Sequence, residues 1–527
     1  MIENKDGNKN GNKKAVKTVS LIILATAFSK ILGLARDMIM TPIYGDSMEN
    51  SAITIALDVP LYFFDILFGA AILGVFIPVY NAFDHKDENG GQNAEDFANV
   101  FLNFVILAAG FLALLGIIFA RRIVDVAALG YDEPAKKLTV DLLRIMLPMI
   151  VFAGAVYTVT GILQSKGEFL APALVSAFSN TGVIIYLLFL NKYLGVYGLG
   201  AAYLISWLIQ LLTLVVPLAG KKYKYKFKID FKNPALIKSL KTALPVLAGA
   251  WLIPMSKQIA NGFSSICGNY NSVIAAFGKS WGLFLIITGI LVYGISNYIF
   301  PKLAQCAGDN REFAAIVKTG LSASVFVIAP AACLAYVLRS EAIAVLYMRG
   351  NFTPDLACLS SQMFIMFTPA MITFSLIEIL NRVFYAKNLV KFPMIAAVSG
   401  IAVNFILCWI FIGRLNLAPV CITSANFICQ TVTAAVLIFS LKFKIKDIFV
   451  RSFLANIAKI ILSSGVLLII IKILYFIIDN NAFEAGVFKN IIISAAMLTA
   501  GTAVYIAVNL ILKTNEAVSF IKIFRNK

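Results

Sequence analysis

The sequence has few charged residues and almost no histidine. Asp, Glu, Lys and Arg make up only 14% of the 527 residues, whereas a soluble domain has about a quarter. The single histidine, His85, lies in a polar segment, so histidine-based metal binding or acid–base catalysis lacks its usual groups. The seven cysteines form no CxxC pair, which favours apolar packing over a redox role. We therefore expect no metal site and no cofactor.

Apolar residues are correspondingly abundant. They make up 60% of the chain, and the mean hydropathy is +0.86. They occur in runs of roughly 20 or more residues, the length that a helix needs to cross about 30 Å of hydrocarbon. Such runs must be helical because lipid offers no hydrogen-bond partner to an exposed backbone. The sequence therefore predicts an all-α polytopic membrane protein with about 14 transmembrane helices.

The net charge of +18 is concentrated in short hydrophilic connections. Basic clusters occupy the N-terminal tail, residues 221–228 after the sixth predicted span, and residues 442–451 after the twelfth. All three fall on one side of the predicted topology, which the positive-inside rule makes cytoplasmic, together with both termini. Membrane phospholipids explain these clusters better than nucleic acid, which we do not expect as a partner.

A weak internal repeat divides the chain. Segment 76–80 parallels segment 299–303 around a shared proline, and segment 164–167 parallels segment 385–388, each followed by a proline at the same distance. An offset of about six spans predicts a parallel repeat: two pseudo-symmetric six-helix lobes around a central cavity, plus two C-terminal helices. The predicted parts are a basic tail 1–17, an N-lobe 18–220, a basic connection 221–235, a C-lobe 236–441, two spans in 442–513 and a tail 514–527.

Charged residues inside predicted spans require an explanation, because each costs roughly 2.5–3.5 kcal/mol near mid-bilayer. The first two spans carry five of them: Lys30, Arg36, Asp37, Asp58 and Asp65. Around the turn of this hairpin, Lys30 is level with Asp65, and Arg36 and Asp37 are level with Asp58. Two interpretations stay open: structural ion pairs that neutralise each other, or groups that line a hydrated cavity and exchange partners with a substrate.

Lys257 and Lys279 are level with each other in the seventh and eighth spans, which contain no acidic residue. We predict that these two lysines face a water-filled cavity that accepts an anion. Glu378, in a later span, joins Asp58 and Asp65 as a candidate for ion pairing or for coupling to an ion.

Four segments, taken in order, resemble the MurJ (MviN) lipid II flippases: 29–37 (SKILGLARD), 142–148 (LLRIMLP), 349–354 (RGNFTP) and 382–387 (RVFYAK). The resemblance implies the fold of the multidrug/oligosaccharidyl-lipid/polysaccharide exporter superfamily, with a groove for the lipid tail at the two C-terminal helices. It also implies a flippase, not an enzyme, that moves an undecaprenyl-diphosphate-linked peptidoglycan precursor across the bacterial cytoplasmic membrane by alternating access.

The resemblance further implies that three first-helix residues lie near the substrate diphosphate: Lys30, Arg36 and Asp37. Such flippases also carry arginines in the second and eighth helices, where this sequence has Phe64 and Gly282. Lys279, one turn before Gly282, is the candidate replacement. We therefore predict a diphosphate site that combines the first-helix charges with Lys257 and Lys279.

Two alternatives remain at this stage. An exporter of another lipid-linked saccharide, or of drugs, would show the same spans. An integral-membrane glycan polymerase or glycosyltransferase would need a large extracytoplasmic loop or a carboxylate cluster, and the sequence offers neither. The driving force is open between an ion and the membrane potential, worth about 2.3 kcal/mol per charge per 100 mV.

Overall fold

The computed structural model describes residues 5–64, 76–84, 90–445, 448–478 and 481–519. Every regular element within these ranges is a helix, which confirms the predicted all-α class. Asp65 and His85 lie outside the described residues, so their predicted roles are not addressed by the structure.

The membrane-spanning helices of the described residues can be identified by their length and apolar composition. Nine helices among the described residues are long and apolar enough to cross a membrane, or ten if Glu133–Met146 and Met149–Ser165, which meet at 41°, form one span. The predicted count of about 14 is not confirmed. One physical reason is that the predicted seventh span is interrupted at Trp251, leaving helices of 17 and 13 residues, each shorter than a bilayer crossing.

The described residues form two compact units, the first made of those within Met1–Ile43, Ala52–Val126 and Asp132–Leu247. The helices along this part of the chain are α1 (Lys5–Tyr44), α2 (Met48–Phe64), α3 (Ile77–Asp84), α4 (Gly90–Ile118), α5 (Ala120–Ala127), α6 (Glu133–Met146), α7 (Met149–Ser165), α8 (Leu170–Ile185), α9 (Asn191–Gly220) and α10 (Pro234–Ala250). Phe76 ties α3 to α4, with ring centroids 5.5 Å from Phe97 and 4.9 Å from Phe101.

The second unit comprises the described residues within Tyr44–Ser51, Ala127–Tyr131 and Ala248–Lys527. Its long helices are α11 (Leu252–Ser264), α12 (Tyr270–Gln305), α13 (Asn310–Val337), α14 (Arg339–Tyr347), α15 (Pro354–Ala386), α16 (Lys391–Cys408), α17 (Val420–Lys444), α18 (Arg451–Ile478) and α19 (Val487–Ile511). An aromatic cluster of α12 and α15, in which Trp281, Phe284 and Phe367 are at most 3% exposed, forms the centre of its core.

The two units contain the same helix-ending turn at the positions that the sequence repeat predicts. Glu168 donates its backbone N–H to Leu163 at the end of α7, and Leu389 donates to Phe384 at the end of α15, both at 2.8 Å. This six-to-one bond is typical of a Schellman C-cap, which needs a left-handed residue. Gly167 (φ +75°) and Asn388 (φ +55°) supply it. The parallel between segments 164–167 and 385–388 is therefore structural as well as sequential.

A second repeated feature is a π-helical stretch that follows the same helix in each unit. Tyr186–Leu190 continues α8, and Trp409–Arg414 continues α16. Insertions of this kind are rare in proteins, so their recurrence at equivalent positions is strong support for an internal duplication. The repeat provides a frame for comparing the charged residues of one unit with those of the other.

Candidate functional site

Arg36 is the best-defined charged group of the first unit. It lies on α1 with a quarter of its side chain exposed. Its Nη2 and Nε donate to Asp37 Oδ1 at 2.9 and 3.2 Å, and its Nη1 donates to Asn180 Oδ1 at 3.1 Å. Sequence reasoning weighed Asp58 as the partner, because of its equal depth, and missed this pair of adjacent residues. The guanidinium is thus fixed on two sides by hydrogen bonds.

Asn180 connects this guanidinium to the backbone of α1. Its Nδ2 donates to the carbonyl of Ser29 at 3.4 Å, one residue before Lys30. Gly33 permits the approach, since a Cβ there would stand only 3.3 Å from Asn180 Nδ2. Asn180 is 8% exposed. It therefore holds α8 against α1 while presenting an acceptor to Arg36.

Tyr203 of α9 completes the surroundings of Arg36. The centre of its ring lies 5.7 Å from the guanidinium carbon, within cation–π range. Asp37 and the buried Asp58 both lie near enough to interact electrostatically with Tyr203. The structure therefore brings together three of the predicted residues, Arg36, Asp37 and Asp58, around one tyrosine.

Lys30, the fourth predicted residue of this unit, has an exposed side chain on the same helix.

The second unit repeats part of this arrangement around Lys257. Asn404 of α16 donates its Nδ2 to the carbonyl of Ser256 at 3.4 Å, as Asn180 does to Ser29 in the first unit. In both units the accepting serine is followed directly by a lysine, Lys30 in one and Lys257 in the other. Lys257 is therefore the structural counterpart of Lys30. A comparison of residue depths along the predicted hairpins does not show this relation.

Lys279 of α12 lies beside an aromatic ring of its own unit. Its Nζ is 5.2 Å from the ring centre of Tyr347, which is 1% exposed. A lysine held against a buried ring has a defined position. Gly282, the position for which the family resemblance implies an arginine, has no atom within 4 Å of an added Cβ, so a Cβ would meet open space there.

Glu378 of α15 belongs to a compact polar cluster. Its Oε1 accepts from Arg382 Nη2 at 3.0 Å, one turn later on the same helix, and from Ser296 Oγ at 3.0 Å. Glu378 also lines a cavity of about 230 Å³ together with Ser256, Asn381 and Gln430. The carboxylate is thus paired and at the same time faces a small polar space.

A larger, apolar cavity of about 840 Å³ lies among α12, α13, α14, α15 and α19. Leu283, Leu334, Leu346 and Leu498 contribute to its lining. Glu341, which is fully buried, also lines it. One of the two C-terminal helices, α19, thus lines an apolar cavity.

Sequence reasoning missed the uncharged members of these sites. Asn180 and Asn404 carry no charge, so the pattern of charged residues in the predicted spans does not include them. Single amides within long apolar runs were the available signal, since polar residues inside spans are unusual and most often join helices. No group of three or more His, Cys, Asp or Glu side chains is placed to hold a metal ion in the part of the chain that the structure describes.

Comparison with known proteins gives consistent matches over most of the chain. The family model described as lipid II flippase MurJ matches residues 40–495. The probable lipid II flippase MurJ of Buchnera aphidicola subsp. Acyrthosiphon pisum is 27% identical over 395 residues, 74% of this chain and 76% of that protein. The probable lipid II flippase MurJ of Thermotoga maritima is 25% identical over 515 residues, 95% of this chain and 98% of that protein.

Among solved structures, that of a lipid II flippase MurJ in an inward closed conformation has a TM-score of 0.78 and 24% identity, covering 95% of this chain and 99% of its own. This likeness confirms the fold of the chain over nearly its whole length.

Proposed function

The chain belongs to the lipid II flippase MurJ family, and we propose that it translocates lipid II across the bacterial cytoplasmic membrane by alternating access. The cargo is a diphosphate-linked lipid, so the protein must pass two phosphate charges through a region where ions are costly. The chain does this as a transporter, without a covalent change to the cargo.

The observation that carries the proposal is the fixed guanidinium of Arg36. Asp37 and Asn180 hold it by hydrogen bonds, yet a quarter of the side chain stays exposed. An arginine fork matches the oxygen pair of a phosphate, and a pre-oriented fork loses little entropy on binding. Asp37 balances the charge when no cargo is present.

Lys30 and Lys257 are further phosphate-binding groups, one in each unit. In each unit a buried asparagine donates a hydrogen bond to a serine carbonyl, and the lysine is the next residue after that serine. The two lysines therefore occupy equivalent positions of the internal repeat. Lys279, held beside Tyr347, supplies a further ammonium group. A lysine is a point charge on a flexible stem and tolerates a moving phosphate better than a fork does. The arginine therefore orients the diphosphate, and the lysines make adaptable contacts with the phosphates as they move.

Two further parts complete the mechanism. The apolar cavity beside α19 would hold part of the prenyl tail while the headgroup crosses. Asp58, Asp65 and Glu378 are the acids available for coupling to an ion, and an inside-negative potential is an alternative drive. Both termini are cytoplasmic in this scheme, as the basic clusters predict.

Arg36→Lys tests the proposal directly, in a bacterium whose own flippase is depleted and replaced by this chain. Lysine keeps the positive charge but loses the fork, so we expect the lipid II accessible at the outer face to fall at least about tenfold. Arg414→Lys is the matched control, because Arg414 also lies over a ring, that of Trp409 at 4.9 Å, but on a largely exposed side chain.

Membrane levels of each variant, measured by immunoblot, separate lost folding from lost transport. The double variant Lys257→Gln/Lys279→Gln provides an independent reading if Arg36→Lys fails to accumulate. Undiminished lipid II exposure in both variants, at normal membrane levels, would show that these cations do not carry the cargo.

A further inference from the structure

The connection between α9 and α10 has a strictly alternating pattern that the proposed transport does not use. From residue 222 to residue 232, even positions are lysine except for Asp230, and odd positions are tyrosine, phenylalanine or isoleucine. An extended chain places odd and even side chains on opposite sides. We call residues 221–233 the basic strap. Between 221 and 241 the sequence has eight lysines and one acidic residue.

Two buried asparagines of α4 bind the backbone of the basic strap. Asn99 Nδ2 donates to the carbonyl of Lys224 at 3.3 Å, and Asn103 Nδ2 donates to the carbonyls of Lys226 and Lys228 at 3.3 and 3.1 Å. The asparagines are four residues apart and so share one helix face. Because they bind main-chain atoms, they order the strap without occupying its ammonium groups.

Tyrosine hydroxyls tie the odd-numbered side of the strap to the same two asparagines. Tyr223 donates to Asn99 Oδ1 at 2.8 Å, and Tyr225 donates to Asn103 Oδ1 at 2.7 Å. Burial raises the pKa of Tyr223 well above its usual range, so its hydroxyl remains a donor at all physiological pH values. The first half of the strap is therefore a fixed element rather than a loose linker.

The second half of the strap leaves its apolar side chains uncovered by protein. Phe227 is 71% exposed, Ile229 47% and Phe231 57%. The ring of Phe231 also touches Phe104, a residue of the membrane-spanning part of α4, at 6.2 Å between centroids. These apolar side chains lie next to a spanning helix and beside a row of lysines. Segments that combine apolar and basic residues in this way are typical of the membrane interface.

The lysines next to this apolar edge are positioned for phosphate. Lys224 and Lys226 project exposed side chains from the tethered segment. Just beyond it, an open depression of about 400 Å³ is lined by Lys232, Lys238 and Lys241, with Pro234 and Ile237. Three ammonium stems around a partly apolar depression fit a phosphate headgroup with the first carbons of its chains.

We propose that the basic strap and the adjoining depression form a binding site for anionic phospholipid headgroups. The tethered lysines contact the phosphates at the membrane surface, while Phe227, Ile229 and Phe231 enter the interfacial layer. The site shares no residue with the transport residues of α1, α11 and α12, and its occupant is a lipid of the surrounding leaflet rather than the cargo.

The test compares two full-length variants with equal loss of charge. The strap variant is Lys224→Gln/Lys226→Gln/Lys232→Gln/Lys241→Gln. The control variant removes four exposed lysines near the ends of other helices, Lys192→Gln/Lys302→Gln/Lys391→Gln/Lys489→Gln. Phosphatidylglycerol is titrated onto each protein in detergent, and bound lipid is counted by native mass spectrometry. We expect at least about tenfold weaker binding in the strap variant only.

A third variant, Asn99→Ala/Asn103→Ala, keeps every lysine and releases the strap. We expect it to weaken phosphatidylglycerol binding severalfold, because an untethered strap must be ordered at the moment of binding. Thermal unfolding of each variant confirms that it is folded.

Equal losses in the strap and control variants, or none, would overturn the proposal. So would undiminished binding in the folded asparagine variant, equal binding of phosphatidylcholine, or displacement of the lipid by inorganic phosphate at the same concentration.

Discussion

The repeated asparagine tether allows the contribution of Arg36 to be isolated with a matched pair of variants. Asn180→Ala and Asn404→Ala each remove one amide donor, at the same 3.4 Å from a serine carbonyl. Only Asn180→Ala also removes an acceptor from a guanidinium, the 3.1 Å bond from Arg36 Nη1. Asn404 Oδ1 accepts instead from the thiol of Cys408 at 3.6 Å, and a thiol is only a weak donor. The difference between the two variants therefore reports mainly the bond to the charged group.

The size of that difference follows from the bonds lost. A neutral amide–carbonyl bond contributes about 0.5–1.5 kcal/mol, and a bond to a charged group about 1.5–3 kcal/mol. Water can replace part of the lost bond, because a quarter of the Arg36 side chain is exposed. We therefore expect Asn180→Ala to lower the free energy of unfolding by about 1–2 kcal/mol more than Asn404→Ala does.

Unfolding by SDS in mixed micelles, followed by circular dichroism, provides the free energies. A double-mutant cycle with Arg36→Gln then gives the coupling between Arg36 and Asn180. A coupling below about 0.5 kcal/mol, or equal destabilisation by the two asparagine variants, would refute the view that Asn180 positions the guanidinium.

Two further predictions concern single contacts of the second unit. Gly45→Ala should be more destabilising than Gly167→Ala in the same SDS assay. Both glycines have positive φ, but only a Cβ at Gly45 would meet the Asn351 carbonyl, at 2.1 Å. Equal losses of unfolding free energy in the two variants would contradict this. Tyr475→Phe should lower the free energy of unfolding by about 1.5–3 kcal/mol, because it removes the 2.5 Å hydrogen bond to the fully buried carboxylate of Glu341. An unchanged free energy of unfolding would show that this bond contributes nothing.

The comparison of the two units suggests how one duplicated frame serves a single cargo. In both units a buried asparagine donates to the carbonyl of a serine that precedes a lysine, so each unit has one ammonium group at this position of the repeat. In the first unit, Arg36 with its partner Asp37 lies on the same helix as this lysine, whereas the guanidinium that pairs with a carboxylate in the second unit, Arg382 with Glu378, lies on another helix, α15. A moving diphosphate needs one orienting contact and several weaker ones that can be exchanged, because uniform tight binding would hold the cargo in place. The unequal charges are consistent with that division.

The membrane class, the helical fold and the family resemblance could be read from the sequence because they depend on local pattern. Apolar runs of span length have only one secondary structure open to them in lipid, whatever their neighbours are. The parallel between segments 164–167 and 385–388 was recognisable for the same reason, since a left-handed C-cap is a property of a few consecutive residues. The exact number of spans was not, because the packing around a proline such as Pro254 decides whether it only bends a span or interrupts it, as happens at Trp251.

The pairing of the charges was decided only by tertiary structure. Depth along a hairpin predicts which residues are level, but the partner of Arg36 is fixed by the packing of α8 against α1 and by its immediate neighbour Asp37. Lys257 was predicted as a site residue, yet its equivalence to Lys30 required the positions of Asn180 and Asn404. Contacts between helices far apart in sequence depend on which faces meet, and sequence periodicity does not determine that.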